Sequence, residues 1–427
     1  MKPSKYNVIL SEGSKVLFFN ALTRNYFRVS ENKKDLVKNV LSNVDIYSNQ
    51  IPQFCRSIKD QGFVVEDELD ELEIISRKFQ ENIDKKAYKL VLLPTLECNF
   101  RCWYCVQDHD HISGCMNQDV QDRICRHIDF MITKKHIESL NIDWFGGEPF
   151  KYFNEVMIPI SNYAKEICRK HNIPFISTTT TNGYLISPEI IDKAKDLNFK
   201  VFHITLDGDR NYHNNIRQAK GESSFDVILD NINNLCFSIA NVEILMRVNY
   251  DDHNLNPIDI IEQIDGKILP ENKSKIKIYF RKVWQISHFA DEQNKLNEAR
   301  NLLINKGYQS PSDLLLNFIP CYANKKYYNA ISYNGKVFKC TAKADMKDDY
   351  LGRLTSNGNI VWNKTDFDIS YYTPLFKNEK CGKCAYLPIC MGPCNKNFEK
   401  NNLVVPEFSC KLKKISNFKD LIIAYCK

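Results

Sequence analysis

Three cysteines in one short loop constrain this chain more than any other feature of its sequence. Cys98, Cys102 and Cys105 are spaced Cys-x3-Cys-x2-Cys and directly follow the apolar run 90–94. Thiolates select iron–sulfur clusters, zinc or copper(I) over hard cations, so a strand leading into such a loop predicts a soft-ligand metal site. A cubane cluster has four irons, and three protein thiolates leave one of them for a ligand that is not protein. Two plainer interpretations stay open, namely buried structural thiols or a zinc site with a distant fourth ligand.

Composition supports a metal-binding interpretation of the thiols. The chain has 427 residues and 16 cysteines, and a chain of this length is expected to form two or three domains. No apolar N-terminal segment or long apolar span is evident, so we expect a cytoplasmic protein without a membrane partner. Many cysteines without a secretory route indicate metal rather than disulfides. The formal net charge of +6 counts every thiol as neutral, and it gives little reason to expect a nucleic-acid partner.

A regular alternation of strand-like and helix-like segments begins after residue 88. The predicted strands are 89–95, 140–145, 175–181, 200–206, 242–249 and 276–281. The predicted helices are 118–133, 154–170, 188–197, 225–237, 257–264 and 292–305. Six repeats of this kind predict an α/β fold in which a parallel sheet curls into a partial, TIM-like (β/α)6 barrel. The active site is then expected where the strands end, and the three-cysteine loop follows the first strand.

Polar segments also end the second, third and fourth predicted strands. They are 143–149, 181–183 and 205–208. In the first of them, Gly146 and Gly147 would allow the backbone to approach a ligand, and Glu148 offers an acceptor for an ammonium group. A Gly-Gly turn by itself is common, and the other two segments are also compatible with simple turns.

The three-cysteine loop, followed about forty residues later by Gly146-Gly147-Glu148 at the next strand end, closely resembles the signature of radical S-adenosylmethionine (radical SAM) enzymes. The resemblance implies a [4Fe–4S] cluster on the three thiols, whose open iron binds S-adenosylmethionine and cleaves it reductively to a 5′-deoxyadenosyl radical. Tyr104 would lie near the adenine and Glu148 near the methionine amino group, while Thr205, Asp207 and Arg217 would contact the ribose and carboxylate. The full implied cofactor-binding set is Tyr104, Gly146, Gly147, Glu148, Asn182, Thr205, Asp207 and Arg217.

A second set of seven cysteines lies near the end of the chain: Cys321, Cys340, Cys381, Cys384, Cys390, Cys394 and Cys410. One metal ion cannot use so many thiols, although a pair of zinc-ribbon-like sites could. The spacing resembles the SPASM domain of radical SAM enzymes, which implies two auxiliary [4Fe–4S] clusters and thus three clusters in all. The resemblance assigns Cys321, Cys340 and Cys394 to the nearer cluster, and Cys381, Cys384, Cys390 and Cys410 to the outer one. Some members add an eighth cysteine, but residues 310–320 contain none, which leaves the nearer cluster with an open iron or another ligand.

The N-terminal segment predicts a small separate module. Two short strands around a polar turn within 16–29, helices near 35–41 and 53–61, and a strand at 63–65 resemble winged-helix peptide-recognition domains of peptide maturases. The resemblance implies that the leader of a precursor peptide adds as a strand to a sheet edge. The alternative is a non-binding cap. We therefore predict three domains: a recognition domain with its linker at 1–87, the barrel at 88–308 and the Cys-rich iron–sulfur domain at 309–427.

These features lead to one functional hypothesis and several alternatives. The resemblance implies an oxidoreductase that abstracts hydrogen from a ribosomally made precursor peptide and installs a thioether or carbon–carbon cross-link, with electrons from a donor such as flavodoxin or ferredoxin. Anaerobic sulfatase-maturing enzymes share the architecture but carry an Asp directly after the second cysteine of the set, where this chain has Thr341. A small-molecule substrate, or a non-catalytic iron–sulfur or zinc protein, are further alternatives. The catalytic base, if one is needed, is not assigned.

Overall fold

The computed structural model describes residues 1–107, 114–219, 221–287, 290–309, 320–343, 350–363, 375–376, 378–392 and 418–426. The chain forms two compact units, each discontinuous in sequence. The first comprises Met1–Lys85, Ser312–Lys326 and Asp366–Lys427. The second comprises Lys86–Pro311 and Tyr327–Thr365. The three predicted domains, in contrast, are continuous in sequence, and their boundaries remain a prediction.

The N-terminal part of the first unit contains two small sheets and four helices. Its strands are β1 (Lys2–Pro3), β2 (Asn7–Glu12), β3 (Lys15–Asn20), β4 (Tyr26–Ser30) and β5 (Val64–Val65). Its helices are α1 (Lys34–Ser42), α2 (Val44–Tyr47), α3 (Pro52–Asp60) and α4 (Glu71–Asp84). β2, β3 and β4 form an antiparallel sheet in that order, while β1 pairs with β5. β2 and β4 are therefore the edge strands of the larger sheet.

The middle strand β3 is buried on both faces, which explains its unbroken apolar sequence. Val16 and Phe18 pack in a cluster with residues of α1 and α3, and Leu17 and Phe19 pack on the other face with residues of α4. A continuous apolar run is typical of a strand covered on two sides.

The second unit contains one ten-stranded sheet and confirms the predicted α/β barrel fold. Its strands are β6 (Ala87–Leu93), β7 (Ser139–Trp144), β8 (Phe175–Thr181), β9 (Phe199–Asp207), β10 (Glu243–Tyr250), β11 (Ile276–Lys282), β12 (Tyr328–Ser332), β13 (Lys336–Phe338), β14 (Gly352–Leu354) and β15 (Ile360–Trp362). β6 to β11 are parallel neighbours in sequence order. β12 pairs parallel with β6, and β13 to β15 continue the sheet antiparallel. The strands between 328 and 362 thus extend the barrel sheet.

Helices pack on one face of this sheet. They are α5 (Gln118–Thr133), α6 (Ile158–Lys170), α7 (Pro188–Asp196), α8 (Arg210–Ile216), α9 (Ser224–Ser238), α10 (Pro257–Asp265) and α11 (Glu292–Asn305). The predicted helix 154–170 begins later than expected, because a π-helical turn, Phe153–Met157, precedes α6. Pro159 lacks the amide that an interior helical position donates, so it belongs in the first turn of α6. No helix in the described ranges is long and apolar enough to span a membrane.

The C-terminal part of the first unit packs on the N-terminal sheet. Its helices are α12 (Glu379–Gly382), α13 (Leu387–Cys390) and α14 (Phe418–Tyr425). Tyr6 and Phe19 belong to the same buried cluster as Cys381, Leu387 and Ile389. The residues around the predicted outer-cluster cysteines therefore share a core with the N-terminal module.

Candidate functional site

The three-cysteine loop begins just beyond the end of β6. Cys98, Cys102 and Cys105 are all half-buried. The amide of Cys105 donates to the carbonyl of Cys102 at 3.0 Å, and the amide of Phe100 donates to the Cys98 sulfur at 3.4 Å. Amide donors of this kind stabilise a thiolate.

One carboxylate fixes the start of this loop. Glu97 accepts hydrogen bonds from the Gly114 amide, from the Lys151 ammonium at 2.6 Å and from the Tyr152 hydroxyl at 3.1 Å. The Lys151 and Gly114 contacts lower the pKa of Glu97. Glu97 therefore stays ionised at neutral pH and ties the cysteine loop to the segment after β7.

The paired glycines lie against the same loop. The Gly147 amide donates to the Thr95 carbonyl at 3.1 Å, and the Glu148 amide donates to the Glu97 carbonyl at 2.8 Å. A Cβ on Gly147 would lie 2.1 Å from the Glu97 carbonyl oxygen, and one on Gly146, whose φ is +126°, would lie 2.3 Å from that of Thr95. The sequence suggested that these glycines admit a ligand. The structure gives a more local reason, since only glycine lets this turn pack on the cysteine loop.

Glu148 is completely buried and joins the ends of two strands. Its Oε1 accepts from the Thr181 hydroxyl at 2.7 Å and the Phe150 amide at 3.1 Å, and its Oε2 accepts from the Asn182 amide at 2.8 Å. Burial raises the pKa of Glu148 against the effect of these donors. A carboxylate offers about four acceptor positions, so Oε2 keeps one for a further donor.

Asn182 connects this carboxylate to the cysteine loop. Its side-chain amide lies 3.9 Å from the Cys98 sulfur and donates to Asn99 Oδ1 at 2.8 Å. The ends of β7 and β8 therefore meet the loop that follows β6.

A second polar group of residues gathers at the ends of β9 and β10. Arg217 Nε donates to Asp207 Oδ2 at 2.5 Å, and the Tyr104 hydroxyl donates to Asp207 Oδ1. Arg217 Nη2 and Asn249 Nδ2 each donate to the Tyr104 oxygen at 3.0 Å. Burial opposes ionisation, but the neighbouring Arg217 charge and these donors still lower the pKa of Asp207. Asp207 is thus a buried carboxylate anion that holds Tyr104 of the cysteine loop.

Thr205 also belongs to the predicted cofactor set. It is buried and precedes Asp207 by two residues on β9. Its hydroxyl accepts from Arg247 Nη2 at 2.9 Å. The set predicted from sequence therefore lies in the loop after β6, at the ends of β7, β8 and β9, and at Arg217 directly after α8.

Burial dominates the electrostatics of the thiols. It raises the pKa of Cys98 to about 11, and it also raises the pKa of Cys102. Arg217 acts in the opposite direction on both thiols. Half-buried thiols of this kind ionise when a metal cation binds them, and three of them in one loop suit iron–sulfur chemistry.

Sequence reasoning missed two residues of the site. Asn249 contacts Tyr104 and also lies 3.3 Å from Asp207 Oδ1; its position at the end of the fifth barrel strand was a usable signal. The Nδ1 atom of His213 accepts a hydrogen bond from the Asp207 backbone amide at 3.1 Å. Nothing local in the sequence distinguishes this buried histidine from any other helical residue.

Five of the seven C-terminal cysteines lie in described ranges. Cys381 is buried, while Cys321, Cys340, Cys384 and Cys390 are half-buried. Cys321 belongs to the first unit and Cys340 to the second. The remaining two predicted ligands, Cys394 and Cys410, lie outside the described residues. In the described part of the chain, no group of three or more His, Cys, Asp or Glu side chains is arranged to hold a metal ion.

The segment that contains the barrel strands β7 to β9 and the strand-end site matches a known family. Residues 92–247 match the profile of the family described as the Radical SAM superfamily. Residues 92–247 therefore form a radical SAM domain, in agreement with the resemblance of the cysteine loop and the strand-end motifs.

Relatives of known sequence extend the similarity beyond this domain. The radical SAM cyclopropyl synthase TigE of Paramaledivibacter caminithermalis is 23% identical over 444 residues, covering 92% of this chain and 86% of TigE. The uncharacterized protein sll1766 of Synechocystis sp. is 22% identical over 340 residues, covering 72% of this chain and 83% of that protein.

Solved structures share the fold at low sequence identity. Native anSMEcpe with bound AdoMet superimposes with a TM-score of 0.59 at 17% identity, covering 79% of this chain and 97% of that chain. The same protein with bound AdoMet and Cp18Cys peptide gives a TM-score of 0.58 at 18% identity. This superposition covers 79% of the present chain and 98% of that chain. At these low identities, the superpositions show a shared fold and nothing further.

Proposed function

We propose that this chain is a maturase that acts on a ribosomally made precursor peptide and installs a thioether or carbon–carbon cross-link. The observation that carries the proposal is that the three-cysteine loop is held against two buried carboxylates. Asn182 links the loop to Glu148, and Tyr104 links it to Asp207. One edge of the barrel sheet thus presents soft thiol ligands beside acceptors and a guanidinium.

The side chains at this edge suit S-adenosylmethionine on a [4Fe–4S] cluster. Cys98, Cys102 and Cys105 would hold the cluster, the remaining acceptor position of Glu148 suits the methionine ammonium, and Asp207 suits ribose hydroxyls. Bound together, cluster and cofactor supply a one-electron cleavage of the sulfonium that yields a carbon radical able to remove a substrate hydrogen. The protein's own contribution is to orient these groups and to exclude water at a buried strand edge.

The seven C-terminal cysteines would hold two auxiliary [4Fe–4S] clusters, in the two sets given above. Their proposed role is to accept the electron that remains when the substrate radical couples. An external donor such as flavodoxin or ferredoxin would supply the electron that reduces the cluster at the first site. The reducing cytoplasm is the setting that such clusters favour.

The N-terminal sheet offers a place for the peptide leader. β4 is an edge strand, so an extended peptide can pair with its backbone. Phe27 on β4 lies against Phe54 on α3, with ring centroids 5.8 Å apart, and Tyr26 is 40% exposed. We propose that the leader binds along β4 beside α3. The peptide bound to anSMEcpe, a protein of the same fold, supports a peptide substrate.

Anaerobic reconstitution tests the proposed function. Wild-type protein is expected to bind about twelve irons per chain and to form 5′-deoxyadenosine from S-adenosylmethionine and dithionite. Replacing Cys98, Cys102 and Cys105 together by Ala should abolish cleavage and remove about four irons, leaving the auxiliary clusters. Bound zinc without cleavage in the wild type, or cleavage that persists in the triple variant, contradicts the proposal.

A further inference from the structure

The inner face of the barrel sheet carries a group of polar side chains that the cofactor set does not include. The helix-covered face is apolar, with Leu90, Ile204 and Met246 among its fully buried residues. The opposite face presents polar residues from all six parallel strands, among them Lys89, Asp143, Thr178, His203, Arg247 and Tyr279. We call these six residues the inner polar cluster. Closed barrels usually fill such positions with branched apolar side chains, so packing does not explain the cluster.

Most of the charge in this cluster is balanced internally. Lys89 Nζ lies 2.7 Å from Asp143 Oδ2, and the Thr178 hydroxyl donates to Asp143 Oδ1 at 3.0 Å. Near the start of the neighbouring strands, Lys277 pairs with Glu243 at 2.8 Å. The carboxylates of this face therefore already have cationic partners.

His203 adds no charge at neutral pH. Burial, with help from the nearby Arg247 and Lys89 cations, lowers its pKa to about 4. Its ring lies 6.4 Å from the ring of Tyr279. Both are neutral side chains that border Arg247 across β9, β10 and β11.

Arg247 is the member of the cluster without a balancing charge. It is paired in register with Thr205 on β9 and Tyr279 on β11. Its Nη2 donates to Thr205, but its Nε is buried without an acceptor, and it forms no ion pair with a carboxylate in the described part of the chain. A buried N–H without a partner is energetically unfavourable, so this arrangement favours a ligand that supplies an acceptor.

We propose that Arg247 binds a carboxylate that enters the inner face of the barrel. The Nε and Nη2 donors form one side of a planar fork, which matches the two oxygens of a carboxylate. Arg247 also touches Thr205, a proposed cofactor residue, so the bound carboxylate lies beside the radical-forming site. This inference rests on the proposed function, because it names the chemical group that the same site accepts. The carboxylate of S-adenosylmethionine is already assigned, with the ribose, to Thr205, Asp207 and Arg217, so we assign the ligand of Arg247 to an acidic side chain of the peptide.

Equilibrium binding to the anaerobic holoenzyme tests the assignment. Two ligand pairs differ in one carboxylate-bearing group: N-acetylglutamate amide against N-acetylglutamine amide, and S-adenosylhomocysteine against 5′-methylthioadenosine. The variants are Arg247→Gln, which keeps polarity, and Arg247→Lys, which keeps the charge. Arg169→Gln is the matched control, because it removes the same charge from an exposed position.

The two sources give different results. If the peptide supplies the carboxylate, Arg247→Gln weakens binding of the glutamate probe about tenfold or more, Arg247→Lys keeps part of it, and the nucleotides are unaffected. If the cofactor supplies the carboxylate, Arg247→Gln weakens binding of S-adenosylhomocysteine but not of 5′-methylthioadenosine, and this result overturns the assignment to the peptide.

Two further outcomes overturn the assignment. In the first, the Arg247→Gln protein binds all four ligands with the same affinities as the Arg169→Gln protein. In the second, the wild-type protein binds the acidic probes and their neutral counterparts with equal affinity. Iron content and cofactor cleavage without substrate are measured on every variant. A wild type that fails to form 5′-deoxyadenosine contradicts the proposed function, whereas a binding result that ignores Arg247 contradicts only this inference.

Discussion

Glu148 shows how a single buried side chain supports both the fold and the proposed chemistry. Three protein donors hold its carboxylate while one acceptor position stays available. The motif around it was recognisable in the sequence, because a Gly-Gly-Glu turn at a strand end is a local pattern. Its three donors were not, since two of them come from the end of the next strand, more than thirty residues later.

Glu148→Gln is predicted to impair cofactor binding more than folding. The amide nitrogen of glutamine cannot accept the Asn182 N–H, which costs about 1–3 kcal/mol, and the attraction for the methionine ammonium is lost. We expect a decrease in 5′-deoxyadenosine formation of at least about tenfold, with a modest fall in the unfolding temperature. The control is Glu166→Gln, at an exposed helical position. Equal activity of the two variants would contradict the role of Glu148.

Gly147→Ala is predicted to disturb the cysteine loop directly. The new Cβ would lie 2.1 Å from the Glu97 carbonyl oxygen, so the backbone before Cys98 must move. We expect the variant to lose about four irons per chain while the rest of the protein stays folded, as measured by iron analysis and circular dichroism. In Gly266→Ala the nearest such contact is 3.3 Å, and iron content should stay at the wild-type value. Full iron content in Gly147→Ala would show that the turn has more freedom than its packing indicates.

At the scale of elements, α5 is fastened to the β14–β15 turn by a buried histidine. His127 Nδ1 donates to the Gly358 carbonyl, and its Nε2 accepts from the Tyr88 hydroxyl, both at 2.7 Å. Asn329 of β12 donates to the same hydroxyl at 3.0 Å. The six barrel strands and their helices were predictable from the alternating pattern. The strands between 328 and 362 were not assigned to the barrel, because hydrogen bonds between distant segments leave no periodic signal in the sequence.

His127 is predicted to make stability depend on pH. Burial lowers its pKa to about 4, whereas an unfolded histidine has a pKa of 6.5. The unfolded chain therefore binds more protons below pH 6.5, and stability falls as the pH drops from about 6.5 towards 4. Between pH 7.5 and pH 5.5, protonation of this histidine in the unfolded chain should lower the free energy of unfolding by about 1.4 kcal/mol. Urea unfolding at both pH values measures the loss, and His127→Gln should reduce it by that amount. An unchanged pH dependence in the variant would exclude this cause.

Phe19 tests the packing of the N-terminal sheet on the C-terminal segment of the same unit. Its ring is fully buried and lies 6.3 Å from that of Tyr425 in α14. Phe19→Ala should destabilise the first unit by about 3–5 kcal/mol in denaturant unfolding. Tyr26→Ala on the exposed edge strand β4 is the control, and it should change stability far less. A similar loss of stability in the two variants would mean that the shared core contributes little to the stability of the first unit.

At the scale of the whole molecule, the chain combines segments that are distant in sequence. Residues 1–85 share a compact unit with 366–427, and 327–365 join the barrel. Sequence patterns identify helices, strands and thiol spacing, but they do not show which separated segments bury a common core. This organisation suggests that removing the first 85 residues affects more than leader binding, because residues such as Cys381 and Leu387 lose the surface that covers them.

Truncation of residues 1–85 is accordingly predicted to expose apolar surface around 375–392. We expect increased binding of a hydrophobic dye and a lower unfolding temperature, together with loss of peptide binding. Cofactor cleavage at the first site should decrease less, since its residues belong to the other unit. A truncated protein with normal stability and dye binding would contradict the shared core.

We propose that the loop of Cys98, Cys102 and Cys105 holds a cluster with one iron open to S-adenosylmethionine. Electron–nuclear double resonance on the reduced protein with cofactor labelled by ¹⁵N at the amino group tests it most directly. An open iron that binds the amino group predicts a nitrogen coupling in the wild type that disappears when the three cysteines are replaced by Ala. A wild-type spectrum without this coupling, or a coupling that survives the triple replacement, would contradict it.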